Sequence, residues 1–183
     1  PQLHEQLAWW GNALGLTGSP FDSFLTLRGL RTLDARLRVH QENATAIAAL
    51  LERHPVVEQV YFPGLASHPG HAVAARQQAG FGGRLSFELA GGERAVRAFV
   101  GALRWFTLAE SLGGVESLVA HPATMTHAAM SAEARAKAGL SAGLLQLSVG
   151  IEAGAALLGD LAPALDAGPQ AAATGLPDKV PAW

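Results

Sequence analysis

The sequence predicts an α/β or α+β sandwich in which helices cover one face of a single sheet. Two observations predict this class. Short β-branched and aromatic runs alternate with segments of helical periodicity, and hydrophobic residues make up 49% of the 183 residues, against 15% charged. This composition provides a sizeable core and excludes a wholly disordered chain. A chain of this length accommodates one ordinary domain with an arm rather than two full domains.

Two helices are predicted before the first strand. Residues 3–16 have the pattern of a short helix with Trp9 and Trp10 partly buried, and the breaker residues of TGSP end it. A second, very long helix is predicted over 21–53, because apolar residues recur there at steps of three and four. A helix of that length usually bridges two bodies or crosses a whole domain.

The following region is predicted to alternate strands and helices. Residues 109–130 lack periodicity and are predicted as a long polar loop. The predicted organisation is N-terminal helices with the long bridging helix over 1–54, a small α/β domain over 55–166, and a flexible tail over 167–183. The predicted strands are 56–62, 84–89, 106–108 and 144–149, and the predicted helices are 71–79, 93–103, 131–138 and 153–165.

Charge and composition exclude several functional classes. The net charge of -2 and the pI near 6.4 lack the basic surplus of a nucleic-acid-binding protein. The absence of cysteine excludes a disulfide framework, a thiolate metal site and a thiol nucleophile, and agrees with the cytoplasmic location we expect. No apolar run approaches the roughly 18 residues of a membrane helix, so no membrane span is expected.

The histidines carry little sign of a metal site. His68 and His71 have HxxH spacing in a Pro/Gly loop, and His121 and His127 flank the segment PATMT. No second cluster with ligand spacing accompanies either pair, although metal sites need converging ligands. We therefore interpret these side chains as surface or loop hydrogen-bonding groups and predict no metal site.

Four blocks of sequence resemble the C-terminal portion of the Cys/Met-metabolism family of pyridoxal-phosphate enzymes. The resemblance extends over residues 3–165, nearly the whole chain. Glu110, in AESLGG, favours the γ-synthase branch of that family. The resembling blocks are AWWGNALGLTGSPFDSFLTLRGLRTL (8–33), ARQQAGFGGRLSFEL (75–89), FTLAESLGGVESLVAHPATMTHAAM (106–130) and LLQLSVGIE (144–152).

The resemblance implies a fold, an assembly and a reaction. The family has the aspartate-aminotransferase-like fold (fold type I), with a large pyridoxal-phosphate domain before a small C-terminal α/β domain, and it forms homotetramers. The γ-synthase branch joins an activated homoserine ester to cysteine, in methionine biosynthesis. Glu110 matches the acidic position that orients the incoming amino acid. Ser111 matches the residue whose backbone helps to hold the substrate carboxylate.

The first departure from the family concerns the cofactor lysine. The family carries it in a Ser-x-Thr-Lys segment of the large domain, and this chain has no Thr-Lys pair. Its two lysines, Lys137 and Lys179, are predicted on an exposed helix and in the tail, whereas a Schiff-base lysine needs a desolvated pocket. We therefore expect no catalytic residue in this chain and no pyridoxal phosphate bound by the chain alone.

The second departure is Gln146 in LLQLSVGIE, where the family carries the arginine that binds the substrate α-carboxylate. A guanidinium provides a charged, bidentate fork for a carboxylate, whereas glutamine provides one neutral amide. Losing one partner of such a pair costs about 2–5 kcal/mol. The nearest arginine along the chain, Arg135, precedes the intervening turn, so no shift of register supplies the missing cation.

Two functional interpretations remain open. Gln146 favours a stand-alone, non-catalytic domain that binds another molecule. The alternative is a fragment or split subunit of a pyridoxal-phosphate enzyme of transsulfuration, active only with the missing domain. In either case we expect self-association, or contact with a pyridoxal-phosphate domain, through the N-terminal helices. The candidate contact residues are Trp9, Trp10, Leu14 and Leu16.

Overall fold

The computed structural model of the chain describes residues 2–16 and 18–174, and within them it has seven helices and five strands. The helices are α1 Gln2–Ala13, α2 Pro20–Leu30, α3 Leu33–Arg53, α4 His71–Gln77, α5 Gly92–Ala102, α6 Ala132–Lys137 and α7 Gly154–Thr174. The strands are β1 Val57–Tyr61, β2 Arg84–Leu89, β3 Thr107–Leu108, β4 Leu118–Ala120 and β5 Leu144–Ser148. The predicted mixture of helices and strands is therefore confirmed.

The strands form one mixed sheet in the order β1-β2-β5-β4-β3. All neighbouring strands are antiparallel except β3 and β4, which are parallel. Successive side chains of a strand point to opposite faces. Leu85 and Phe87 of β2 therefore share one face with Leu145 and Leu147 of β5, and all four are buried. The opposite face carries the polar residues of both strands.

Helices α3, α5 and α7 contribute the other half of the core. Ile47 of α3, Phe99 of α5 and Leu161 of α7 are fully buried in one cluster with the apolar face of the sheet. Phe99 contacts Phe87 of β2 edge to face, with ring centroids 5.6 Å apart. Helices thus cover one sheet face, as the sequence predicts, and the other face is left for polar side chains.

The predicted helix over 21–53 is interrupted in the structure. Helix α2 ends at Leu30 and α3 begins at Leu33, and the N–H of Arg31 bonds back to the Leu27 carbonyl oxygen to close the last turn of α2. Gly29 weakens the helix just before the break, because glycine is a poor helix former. The prediction of one continuous helix was wrong because the apolar spacing continues in phase across the turn.

The chain divides into two compact units, residues 1–35 and 36–183. Most of α3 belongs to the second unit, where it contributes to the core around the sheet. The predicted division into functional segments 1–54, 55–166 and 167–183 stays a prediction.

In the first unit, neither α1 nor α2 contains a buried residue. Trp9 and Trp10 are 60% and 52% exposed, so the prediction that they are partly buried was wrong. Leu14 and Leu16 are also exposed. Exposed apolar side chains concentrated in this way are typical of an interaction surface.

Two further segments differ from the sequence prediction. Strand β4 lies inside residues 109–130, which the sequence predicts as a loop. Three residues are too few to show the alternation of a strand, so the sequence does not reveal β4. Helix α7 continues to Thr174, so residues 167–174 are helical rather than a loose tail, and residues 175–183 lie outside the described residues. The alanines of that segment favour a helix in spite of its Gly and Pro. None of the described helices combines the length and apolarity needed to cross a bilayer.

Candidate functional site

The sheet face opposite the helices brings together polar residues from the two central strands. Gln146 lies in the middle of β5, directly opposite Ser86 of β2 on one side and Ala120 of β4 on the other. Because strand side chains alternate, Arg84 and Glu88 of β2 lie on the same face as Gln146. Of the residues expected to bind substrate, Gln146 lies on this face.

Arg84 is the arginine that contacts Gln146. Its Nη2 donates to the Oε1 of Gln146 at 2.5 Å. A guanidinium has no acceptor, so the oxygen of the amide is the atom in contact. Arg84 stands opposite Ser148 in the antiparallel register, which makes Arg84 and Gln146 diagonal neighbours across the strands.

The prediction from Arg135 concerned a shift of register only and left out cations from other strands. It considered only residues near position 146 in the sequence, whereas Arg84 precedes Gln146 by 62 residues. The one sequence signal for this contact is the alternation in RLSFEL and LLQLSV, which places Arg84 and Gln146 on the polar face of their strands. The pairing of β2 with β5 is not visible in the sequence.

Glu110 and Ser111 lie in the exposed loop between β3 and β4. This loop is attached to β5, because the N–H of Gly113 donates to Ser148 Oγ at 2.9 Å. Gly113 has φ +76°, a left-handed conformation that favours glycine. Ser148 is two residues from Gln146 on the same face, about 7 Å along the strand. The loop that carries Glu110 and Ser111 is thus attached to β5 two residues from Gln146.

A buried hydrogen-bond network holds the end of the same loop. Ser117 is fully buried, and its Oγ donates to Glu152 Oε2 at 2.8 Å and accepts from the N–H of Gly150 at 2.8 Å. The N–H of Ser117 donates to Glu152 Oε1 at 2.7 Å. From α3, Asn43 Nδ2 donates to the carbonyl oxygens of Gly150 and Glu152 at 3.1 and 2.9 Å. The sequence gives no sign of this network, because its members come from distant segments.

Tyr61 and Glu88 mark an acidic end of the same sheet face. The Tyr61 hydroxyl donates to Glu88 Oε1 at 2.7 Å, and this hydrogen bond, with partial burial and the carboxylate charge, raises the pKa of Tyr61. Both residues line a cleft of about 670 Å³ that also includes Glu93 and Arg135. Glu110, Ser111 and Gln146 do not line it.

Three of the four histidines singled out in the sequence make local hydrogen bonds. His71 Nδ1 donates to the carbonyl oxygen of Pro63 at 2.7 Å, and His68 Nδ1 accepts from the N–H of Gly70 at 3.0 Å. His127 Nδ1 lies 2.7 Å from the hydroxyl of its neighbour Thr126. Within residues 2–16 and 18–174, no three His, Asp or Glu side chains are grouped in a way that would hold a metal ion.

The fourth, His121, is a buried structural residue. Its Nε2 lies 3.1 Å from the carbonyl oxygen of Ala142, an acceptor, so Nε2 carries the proton. Its Nδ1 then accepts from the hydroxyl of Thr124 at 2.8 Å. The ring is 1% exposed, and burial lowers the pKa of His121 from its ordinary value of 6.5. The neutral form is the one that the fold accommodates.

Stability should therefore depend on pH through His121. Below pH 6.5 the unfolded chain protonates this histidine more readily than the folded chain does, so the stabilisation is complete above 6.5 and is lost as pH falls toward the lowered folded pKa. We expect His121→Gln to reduce the slope of the free energy of unfolding between pH 7 and pH 5, as measured by urea denaturation. His4→Gln, on the exposed surface of α1, is the matched control. An unchanged slope in His121→Gln would contradict this assignment.

Comparison with known proteins shows which family the chain resembles. The model of the family described as Cys/Met metabolism PLP-dependent enzyme matches residues 1–166. Cystathionine gamma-synthase of Escherichia coli K12 is 56% identical over 161 residues, which are 88% of this chain and 42% of that protein. Cystathionine gamma-lyase of Dictyostelium discoideum is 50% identical over 165 residues, 90% of this chain and 43% of that protein.

A solved structure of a cystathionine gamma synthase is similar to this chain in fold as well as in sequence. The chain superposes on cystathionine gamma synthase of Xanthomonas oryzae pv. oryzae, crystallised with aminoacrylate and cysteine, with a TM-score of 0.85 and 74% identity. The match covers 93% of this chain and 44% of that one. The chain therefore spans less than half the length of the proteins it matches.

Proposed function

Because this chain belongs to the Cys/Met metabolism family of PLP-dependent enzymes, we propose that it is the substrate-side segment of a γ-synthase. In this proposal it helps to join an O-acylhomoserine to cysteine, giving cystathionine, as part of a cytoplasmic homo-oligomer. The observation that carries the proposal is the 74% identity with a gamma synthase over 93% of the chain. That identity exceeds the 50% identity with the gamma-lyase of Dictyostelium.

The residues of this chain would bind and orient the amino acid. We assign Glu110 and Ser111 to the incoming substrate, on a loop that Gly113 attaches to β5. Gln146 lies on the same face and adds an amide to the polar lining. Support for this assignment comes from the attachment of the Glu110–Ser111 loop, through Gly113, to Ser148, which lies two residues from Gln146 on β5.

The described residues do not fit the cofactor by themselves. Lys137 is exposed on the six-residue helix α6, and it does not line the cleft beside Arg135. An amine that tethers a carbonyl cofactor needs a desolvated pocket to lower its pKa. No reaction step is therefore assigned to pyridoxal phosphate within this chain, and the proposal requires the lysine-bearing segment from outside it.

The test is a completed enzyme, meaning E. coli cystathionine gamma-synthase in which this chain replaces the matching 42% of the sequence. We expect this chimera to form cystathionine from O-succinylhomoserine and cysteine. The unmodified E. coli enzyme is the positive control. A chimera that folds and assembles but forms no cystathionine would contradict the proposal.

A second candidate function is a stand-alone, non-catalytic binding domain. The observation that favours it is the exposed apolar surface of α1, where the side chains of Trp9 and Trp10 are 60% and 52% exposed. A free domain would use this surface for self-association. The same surface would be covered by the lysine-bearing segment under the first proposal. Sedimentation velocity of the chain with Trp9→Glu and Trp10→Glu tests the role of this surface. Self-association that persists in both variants would exclude the surface as the interface.

A further inference from the structure

We propose, on the basis of the function proposed above, that Arg84 binds the α-carboxylate of the amino-acid substrate and that Gln146 positions its guanidinium. The cation would then come from β2, although the family carries it on β5. The contact that points to this exchange is the hydrogen bond from Arg84 Nη2 to Gln146 Oε1.

The charge of Arg84 is not compensated by a carboxylate of the described chain. Neither the salt bridge of Arg97 with Glu93 nor that of His54 with Asp166 includes Arg84. Glu88 lies on the same face of β2, but four residues correspond to about 13 Å along a strand. Its carboxylate also accepts a hydrogen bond from the hydroxyl of Tyr61. An exposed arginine without an acidic partner can receive an anionic ligand.

Gln146 is suited to orient this arginine without neutralising it. Its Oε1 occupies one Nη of Arg84, while an aspartate or glutamate at this position would cancel the charge. No other hydrogen bond of the Arg84 side chain is found among the described residues, so its Nε and second Nη stay available for a carboxylate. The amide nitrogen of Gln146 is a further donor beside them. The pair therefore has both the charge and the donors that a carboxylate requires.

Arg84 and Gln146 also lie close to the attachment point of the loop that carries Glu110 and Ser111. Arg84 is directly opposite Ser148 in the β2–β5 register, and Ser148 holds the N–H of Gly113. The loop that carries Glu110 and Ser111 is thus anchored at the strand position facing Arg84. A carboxylate bound by Arg84 would lie beside this loop rather than in the cleft lined by Tyr61 and Glu88.

The experiment is an NMR titration of the full 183-residue chain, labelled with ¹⁵N, with L-homoserine and with its carboxamide. The Arg84 Nε–Hε signal is identified by its loss in Arg84→Met. We expect this signal to shift in a saturable way with L-homoserine, and at least tenfold less at equal concentration with the carboxamide, which has the same amine but no carboxylate. Gln146→Met should weaken the response several-fold, and Gln146→Asn should restore part of it. Arg76→Met, on the exposed face of α4, should leave it unchanged.

Equal shifts with both compounds, or no shift with either, would overturn the assignment to Arg84. The assignment would also fail if the completed enzyme kept its full kcat/KM after Arg84→Met. Failure of the proposed function looks different, because the completed enzyme would then form no cystathionine even with Arg84 intact. The titration needs no cofactor and no turnover, so it tests the carboxylate site independently of the reaction.

Discussion

Arg84→Met is expected to lower kcat/KM of the completed enzyme by about 30-fold to several-thousand-fold. The reason is that a buried or bound carboxylate deprived of its charged partner loses about 2–5 kcal/mol of interaction. An interaction made with the substrate and kept in the transition state should appear mainly in KM, and misplacement of the reacting bond should appear in kcat. Steady-state kinetics with the amino-acid substrate varied measures both parameters.

A charge exchange provides the matched control for this prediction. The double variant Arg84→Met with Gln146→Arg moves the guanidinium from β2 to β5 and is expected to recover most of the activity lost in Arg84→Met. Gln146→Arg alone brings two guanidinium groups to diagonal positions and is expected to show no gain, since like charges across strands repel. Arg76→Met should behave as the parent enzyme. Full activity in Arg84→Met would show that the cation comes from elsewhere.

Ser117→Ala is expected to lower the free energy of unfolding by about 2–3 kcal/mol. The substitution removes the hydroxyl that donates to Glu152 and leaves the buried N–H of Gly150 without its acceptor. Because a buried donor without a partner bears its full desolvation penalty, the loss exceeds that of an ordinary hydrogen bond. Urea denaturation of the chain measures the change.

Ser131→Ala is the control for the same substitution at an exposed position. Ser131 caps α6 through a hydrogen bond from the N–H of Ala134 at 3.1 Å, and loss of such a cap costs about 1 kcal/mol. Equal destabilisation by the two substitutions would mean that the Ser117 network is no stronger than a surface cap. In the completed enzyme, Ser117→Ala should also raise KM, because the loop with Glu110 is held less firmly.

The predicted strands and helices around the sheet were located well because their sequence periods are clear. The alternation in RLSFEL corresponds to β2 over its whole length, and the pattern of VVEQVYF differs from β1 by one residue at each end. Strand β4 was missed because its three residues are all buried and show no alternation. The break after Leu30 was missed because apolar spacing reports a common face and not the continuity of the backbone.

The site was only partly predictable for a related reason. Glu110, Ser111 and Gln146 were identified by resemblance, and the structure adds that the loop of Glu110 and Ser111 is attached to β5 through Gly113 and Ser148. Arg84 and the Ser117 network depend on pairing between distant segments, which is fixed by the register of β2 with β5 and by the packing of α3. A sequence read along its length cannot show such neighbours.

The most direct test of the account is retention of pyridoxal phosphate by the 183-residue chain and by the completed enzyme. Each protein is incubated with one equivalent of the cofactor and dialysed, and the visible absorbance of protein-bound cofactor is then recorded. We predict that the completed enzyme keeps its absorbance and that the isolated chain loses it. Cofactor that stays covalently attached to the isolated chain, as shown by intact mass after borohydride reduction, would contradict the account.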